Sequence, residues 1–209
     1  MNDFGFYLVM TNPVVGYVKC AEAAVKAGVK MIQLRMKHAS RKEIIREARE
    51  VKLVTAGTDS LFIVNDDPSI AAEVGADGVH VGQDDITPEE IRIHYPELKI
   101  VGLSTHSLKQ VIASANAPVD YIGVGPVYAT PTKDIPDPTL GLNTMKEMIA
   151  TANHPAVAIG GIDKNRLPDV LSSGAKNFAV VRAVCQSVDP YAEIRSLMDC
   201  AAKCQQASK

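Results

Sequence analysis

Apolar positions along this chain fall into two alternating rhythms. Short runs of β-branched and apolar residues recur as FYLVM, VKMIQLR, LFIVN, GVHVG, LKIVGLS, VDYIGVG, AVAIGG and NFAVV, each of strand length. Between them the apolar residues return every three or four positions, in YVKCAEAAVKAG, SRKEIIREAREVKLV, PSIAAEVGA, TPEEIRIHY, SLKQVIASAN, GLNTMKEMIATA and NRLPDVLSSGA, and DPYAEIRSLMDCAAKCQQ follows as a last helical stretch. Three helix-to-strand junctions, KAGVKMIQLR, EVGADGVHVG and SSGAKNFAVV, carry a Gly where a left-handed turn ends a helix. Eight strands alternating with eight helices predict an α/β fold, a parallel (β/α)8 TIM barrel, as one domain over residues 1–209. A doubly wound open sheet is the rival, but TNPVVGY follows the first strand where that fold would carry Gly-x-Gly-x-x-Gly.

In such a barrel the chemistry gathers where the strands end and the loops to the following helices begin. At the end of the second strand Gln33, Arg35 and Lys37 are spaced by two, so they share one direction while Ile32, Leu34 and Met36 share the other. The apolar set should face the helices. The polar set then points into the barrel mouth, where unpaired cations are costly unless an anion meets them. The third strand ends at Asn65 and Asp66, and the fourth near His80, Gln83, Asp84 and Asp85. Neighbouring strands lie about 5 Å apart, so Asp66 and one of Asp84 or Asp85 can approach a single ion. Two carboxylates suit Mg²⁺, which keeps several waters and takes phosphate oxygens for the rest. A metal beside Arg35 and Lys37 is what a pyrophosphate leaving group needs. The competing reading of these acids is structural: Asp67 before Pro68, and Asp85 before TPEE, have the placement of helix caps.

The sixth strand runs into GPVYATPTKDIPDPTLG, where Thr130, Thr132 and Lys133 offer two hydroxyls and an ammonium to phosphate oxygens. Loops of that length in compact barrels are commonly lids or solvated excursions. The seventh strand ends in AIGGI and the eighth in AVVRAV, the two loops with which barrels often hold a phosphate through backbone N–H groups. Two phosphorylated ligands in one mouth follow: a diphosphate over strands two to four and a monophosphate across strands six to eight.

Composition narrows the partners. A net charge of −2 gives no basic excess for nucleic acid or an anionic membrane. No apolar run reaches membrane-spanning length, and MNDFGFYLVMTNP lacks the basic-then-apolar pattern of a secretory leader, so the cytoplasm is the expected location. Cys20, Cys185, Cys200 and Cys204 are too few and too uneven for a secreted disulfide framework, and read as packed or exposed thiols rather than as a zinc site.

QLRMK, NDD, GADGVHVGQDD, GLSTHS, DYIGVGPVYATPTK and AIGGI, in this order, resemble the thiamine phosphate synthase (thiamine-phosphate pyrophosphorylase) family, from YLVMT to the end of the eighth strand. The resemblance implies a transferase that joins a hydroxymethylpyrimidine diphosphate to a thiazole phosphate, giving thiamine phosphate and pyrophosphate. It implies that Gln33, Leu34, Arg35, Met36 and Lys37, with Asn65, Ser104 and Lys133, hold the pyrimidine diphosphate, Arg35, Lys37, Ser104 and Lys133 serving catalysis. Asp66 and Asp85 would hold one Mg²⁺ per subunit. Thr130, Pro131, Thr132, Gly161 and the backbone at Val181 and Arg182 would cradle the thiazole phosphate. The chemistry is ionisation to a pyrimidinylmethyl cation followed by attack of the thiazole nitrogen, so no nucleophilic triad is expected. His80 reads as a pocket or packing residue, and His38, His94, His106 and His154 need no catalytic role.

One position departs from the family pattern: VVRAV stands where a small hydroxyl residue is usual, as in VVSAI, which puts Arg182 at the acceptor phosphate. Two alternatives share the fold. A thiazole tautomerase tends to lose the diphosphate and metal residues, whereas this chain keeps Arg35, Lys37, Asp66, Asp85 and Lys133. A non-catalytic binder of phosphorylated precursors would leave a full metal site unexplained. The small-molecule substrates are the expected partners, and an apolar outer helix face is compatible with a homo-oligomer.

Overall fold

The computed structural model describes residues 4–130 and 138–207. Its strands are β1 (Phe6–Met10), β2 (Met31–Leu34), β3 (Leu61–Asn65), β4 (Gly78–Val81), β5 (Ile100–Thr105), β6 (Tyr121–Val124), β7 (Ala156–Ile159) and β8 (Asn177–Val180). They pair in parallel in sequence order, and β8 returns to β1 through Phe6↔Phe178, Tyr7↔Ala179 and Leu8↔Val180, which closes the barrel. The helices are α1 (Tyr17–Ala27), α2 (Arg41–Thr55), α3 (Pro68–Glu73), α4 (Pro88–His94), α5 (Leu108–Ala113), α6 (Gly141–Thr151), α7 (Leu167–Ser172), α8 (Arg182–Cys185) and α9 (Pro190–Ala207). The predicted (β/α)8 architecture is therefore the observed one, with α8 as an unpredicted single turn between β8 and the long closing helix.

The two-residue period of the strands builds two cores. Phe6, Leu8 and Met10 of β1, with Ile32, Leu34, Phe62 and Val64, point outward against the helices. Tyr7 and Val9, with Met31, Ile63, Ile100, Tyr121, Val157 and Ala179, fill the barrel itself. Strands covered on both faces explain why the runs are nearly continuously apolar. Each fully buried Leu, Ile, Val or Phe contributes about 1.5–3 kcal/mol.

Local chemistry sets where helices begin and end. Ser40 caps α2 in a capping box, its backbone N–H donating to Glu43 Oε2 at 2.8 Å while its hydroxyl accepts from the Glu43 N–H at 3.3 Å. Asp67 caps α3, accepting from the Ile70 N–H at 3.0 Å with Pro68 in the first turn. The cap of α4 is Thr87, again boxed with Glu90, so Asp85 does not take the capping role open to it from sequence. Gly28, Gly75 and Gly174 adopt φ of 84°, 66° and 103° at the three predicted helix-to-strand junctions. At the N-terminal end of the barrel Asn177 bridges three strands: it accepts from the Gly5 N–H at 2.9 Å and donates to the Ala156 carbonyl at 3.3 Å.

Candidate active site

The C-terminal ends of the strands open onto a cavity of about 920 Å³. Its lining includes Gln33, Arg35 and Lys37 from the end of β2, Asn65 and Asp66 from β3, His80 from β4, Asp85 beyond it, and Ser104 from β5. Gly160, Gly161, Val181, Arg182 and Thr130 border the same space from the other side. The alternation expected in β2 is present, since Leu34 is only 1% exposed in the helix-facing core. Leu34 and Met36, carried into the substrate set with their motif, do not turn their side chains into this cavity. Their side chains belong to the opposite face of the ribbon: Leu34 is sealed under the helices and Met36 packs against that same layer. Met36 borders an adjoining cleft of about 500 Å³ that Arg35, Lys37, Val181 and Arg182 also line. Pro131, Thr132 and Lys133 lie outside the described residues.

Asp66 has φ of 65°, a left-handed backbone that Asp tolerates better than most residues, and its N–H donates to the His80 carbonyl at 2.8 Å. Its carboxylate accepts from the Lys37 ammonium. Burial pushes the Asp66 carboxyl above its ordinary range; Lys37 opposes that shift, and the nearby Asp85 carboxylate adds to it. Asp85 is fixed by its own turn, accepting from the Gly82 N–H at 2.7 Å. Asp84, the other sequence candidate, is exposed and is not among the cavity residues. The partly buried Asp66 carboxylate, its ionisation disfavoured further by the Asp85 carboxylate beside it, forms with Asp85 a donor pair that a hard divalent cation would relieve. Among the described residues no group of three or more His, Cys, Asp or Glu side chains could hold a metal. A cation between Asp66 and Asp85 would leave the rest of its shell to water and substrate oxygens, a coordination that suits Mg²⁺.

Beneath the mouth runs a row of polar side chains that sequence reading did not assemble. Gln33 Nε2 donates to Tyr7 Oη at 2.6 Å, Tyr7 Oη meets Tyr121 Oη at 2.9 Å, Tyr121 Oη meets His80 Nδ1 at 2.9 Å, and His80 Nε2 meets Ser104 Oγ at 2.9 Å. The row crosses the barrel from β2 to β5. Burial raises the pKa of both phenols well above the ordinary tyrosine value, so both are neutral. The available signal was the strand period, which turns Tyr7 and Tyr121 inward. The expectation that His80 is a pocket residue agrees with this placement.

On the opposite rim the turn after β7 is closely packed. A Cβ on Gly160, at φ of 102°, would lie 2.5 Å from Pro126 Cα; on Gly161, at φ of 65°, it would lie 2.8 Å from Tyr128 Cβ. Arg166 stitches this turn to the β6 loop, donating to the Gly161 carbonyl at 2.8 Å while its guanidinium stands 4.9 Å from the centre of the Tyr128 ring. Val181 precedes the single turn α8, and Val181, Arg182 and Ala183 line the cavity on this side. All four cysteines are free thiols, Cys20 and Cys185 buried and Cys200 and Cys204 partly exposed. No helix among the described residues is long and apolar enough to cross a membrane.

Comparison with known proteins points one way. Residues 6–184 match the family model described as thiamine monophosphate synthase. A thiamine-phosphate synthase of Caldicellulosiruptor bescii is 38% identical over 180 residues, covering 86% of this chain and 82% of that protein. One from Vibrio parahaemolyticus is 37% identical over 206 residues, covering 95% and 100%. Among solved structures, thiamine phosphate pyrophosphorylase from Pyrococcus furiosus superposes with a TM-score of 0.88 at 28% identity, over 97% of this chain and 98% of that one.

Proposed function

The chain belongs to the thiamine monophosphate synthase family, and from that premise we propose how its own residues divide the work of joining a pyrimidinylmethyl diphosphate to a thiazole phosphate. One observation carries the assignment. Arg35, Lys37, Asp66, Asp85 and Ser104 border the same cavity as Gly161 and Arg182, so a diphosphate and a monophosphate site open toward each other.

The diphosphate lies over the ends of β2 to β5. Arg35 and Lys37 neutralise it, and Lys37 exchanges its contact with Asp66 for phosphate oxygens. Asp66 and Asp85 would hold Mg²⁺, which when bound supplies further positive charge to the diphosphate oxygens. Asn65 and the Gln33 carbonyl hold the pyrimidine ring, and Ser104 donates to the leaving group. Cleavage of the exocyclic carbon–oxygen bond leaves its electron pair on pyrophosphate and a cation that the ring amino group delocalises. The thiazole nitrogen then forms the new carbon–nitrogen bond. Val9, Val157, Ile159, Ala179 and Val181 give the cavity an apolar wall that keeps water from capturing the cation first. The thiazole phosphate is held at Gly161, Thr130, Val181 and Arg182, with Thr132 completing the grip, while Lys133 serves the diphosphate. Its partners on this reading are two small molecules met in the cytoplasm.

Pyrophosphate release measured with both substrates and Mg²⁺ tests the assignment. Release that requires both substrates and the metal is the expected result. Interconversion of thiazole isomers alone, or ligand binding without turnover, would replace it with one of the two alternatives.

A further inference from the structure

We propose that Gln33, Tyr7, Tyr121 and His80 act as positioning residues that fix the His80 tautomer, with the proton on Nε2, and thereby set Ser104 as a hydrogen-bond donor toward the diphosphate. This deepens the reading above and rests on it for the identity of the ligand.

The direction follows from counting protons. Gln33 Nε2 has no lone pair to offer, so Tyr7 Oη accepts from it at 2.6 Å. The single Tyr7 proton then goes to Tyr121 Oη, 2.9 Å away. Tyr121 has one proton of its own and gives it to His80 Nδ1 at 2.9 Å. A ring nitrogen that accepts carries no proton, so on this hydrogen-bond count the ring proton sits on Nε2 and is donated to Ser104 Oγ at 2.9 Å. Ser104 then receives from below and keeps its own hydroxyl proton for the cavity it lines. Burial supports the scheme, because Tyr7 is 2% exposed, Gln33 3% and Tyr121 not at all. Water has little access to the Gln33–Tyr7–Tyr121 part of the row, while His80 and Ser104 stand half-buried at the cavity, and a neutral phenol in such a place must find both a donor and an acceptor.

A second observation shows that the fold keeps this row clear. A Cβ on Gly102, on the neighbouring strand β5, would lie 2.2 Å from Tyr121 Cζ, 2.4 Å from its Oη and 2.5 Å from His80 Nδ1. Any side chain at Gly102 would therefore displace the Tyr121–His80 contact. The whole sense of the row depends on one amide. With Gln33 turned over, Tyr7 would donate to its carbonyl oxygen, each later bond would reverse, His80 would be protonated on Nδ1, and the Ser104 proton would be spent on His80.

Nitrogen-15 NMR of histidine-labelled protein, without ligands, distinguishes the two senses. The expected result is a protonated, pyrrole-type Nε2 and an unprotonated Nδ1 at His80. Protonation on Nδ1 overturns the inference. Tyr121→Phe keeps the ring and removes the link: it should mix the two tautomers and lower kcat/KM for the diphosphate on the order of threefold, through a smaller competent fraction. In the Ser104→Ala background the same substitution should cost nothing more, whereas equal costs in both backgrounds would mean that Tyr121 does not act through Ser104. Because the tautomer is read in the ligand-free protein, a reversed row with intact synthesis sinks this inference alone. Missing synthesis with the expected tautomer would sink only the functional reading.

Discussion

Replacing Asp66 by Asn should move stability and turnover in opposite directions. The carboxylate is partly buried, and burial together with Asp85 outweighs Lys37, so its folded pKa lies above the ordinary value. An acid with a raised folded pKa binds its proton more tightly in the folded chain than in the unfolded one. Between the ordinary value, about 3.9, and the raised one the folded state therefore holds more protons, and stability falls as pH rises through that window. The full penalty is present at neutral pH. The opposing ion pair is weak, because its side chains are 41% and 30% exposed, and such pairs contribute about 0.2–1 kcal/mol. Asn is nearly isosteric with Asp and tolerates the backbone at φ of 65°. The substitution should stabilise the ligand-free protein at pH 7 by less than about 1 kcal/mol, a rise of roughly 2–4 °C in Tm at most. That difference should shrink as the pH falls toward 4. Turnover should drop by about 10²–10³, the cost of losing one preorganised group aimed at developing charge, and the Mg²⁺ dependence should move to higher concentration. Thermal unfolding between pH 7 and 4, with pyrophosphate release across a Mg²⁺ series, reads both effects. A variant less stable than the parent by more than about 1 kcal/mol at pH 7, or one turning over within tenfold of it, would refute the account.

Gly160→Ala should lower Tm by about 4–8 °C, because φ of 102° and a Cβ 2.5 Å from Pro126 force strain of about 2 kcal/mol onto the turn; an unchanged melting curve would show that the turn relaxes freely. Arg182→Ser restores the hydroxyl usual for the family. It should raise KM for the thiazole phosphate about fivefold, the worth of one partly solvated charged contact of about 1 kcal/mol, and leave KM for the diphosphate alone; a shift confined to the diphosphate would place Arg182 at the wrong ligand. Lys133→Ala should weaken diphosphate capture more than thiazole capture, as steady-state kinetics with each substrate varied would report, and a purely thiazole effect would contradict its assignment.

The barrel was legible because each strand is covered on both faces, leaving apolar runs too regular to mistake, and because the glycines at 28, 75 and 174 mark where helices stop. The cavity was legible in part for the same reason: once β2 alternates, Gln33, Arg35 and Lys37 must share its inner face. Asp85 was harder, since Asp and Thr both cap helices and both precede Pro88. The box between Thr87 and Glu90 settles that competition, and the Gly82 N–H occupies Asp85 instead. The single turn α8 spans four residues, too few to show a helical period. Tyr7 and Tyr121 stand 114 residues apart, and alternation turns each inward without naming its partner across the barrel.

The seam between β1 and β8 also bears on how the protein is made. The Gly5 N–H meets Asn177 across 172 residues, so the ring cannot shut until the strand that holds Asn177 has left the ribosome. Until then the growing sheet has two raw borders of unpaired backbone, the kind of surface that recruits other strands. Closure removes both borders at once and completes the mouth in the same event. A nascent chain stalled before Asn177 should need chaperone protection that the finished one does not.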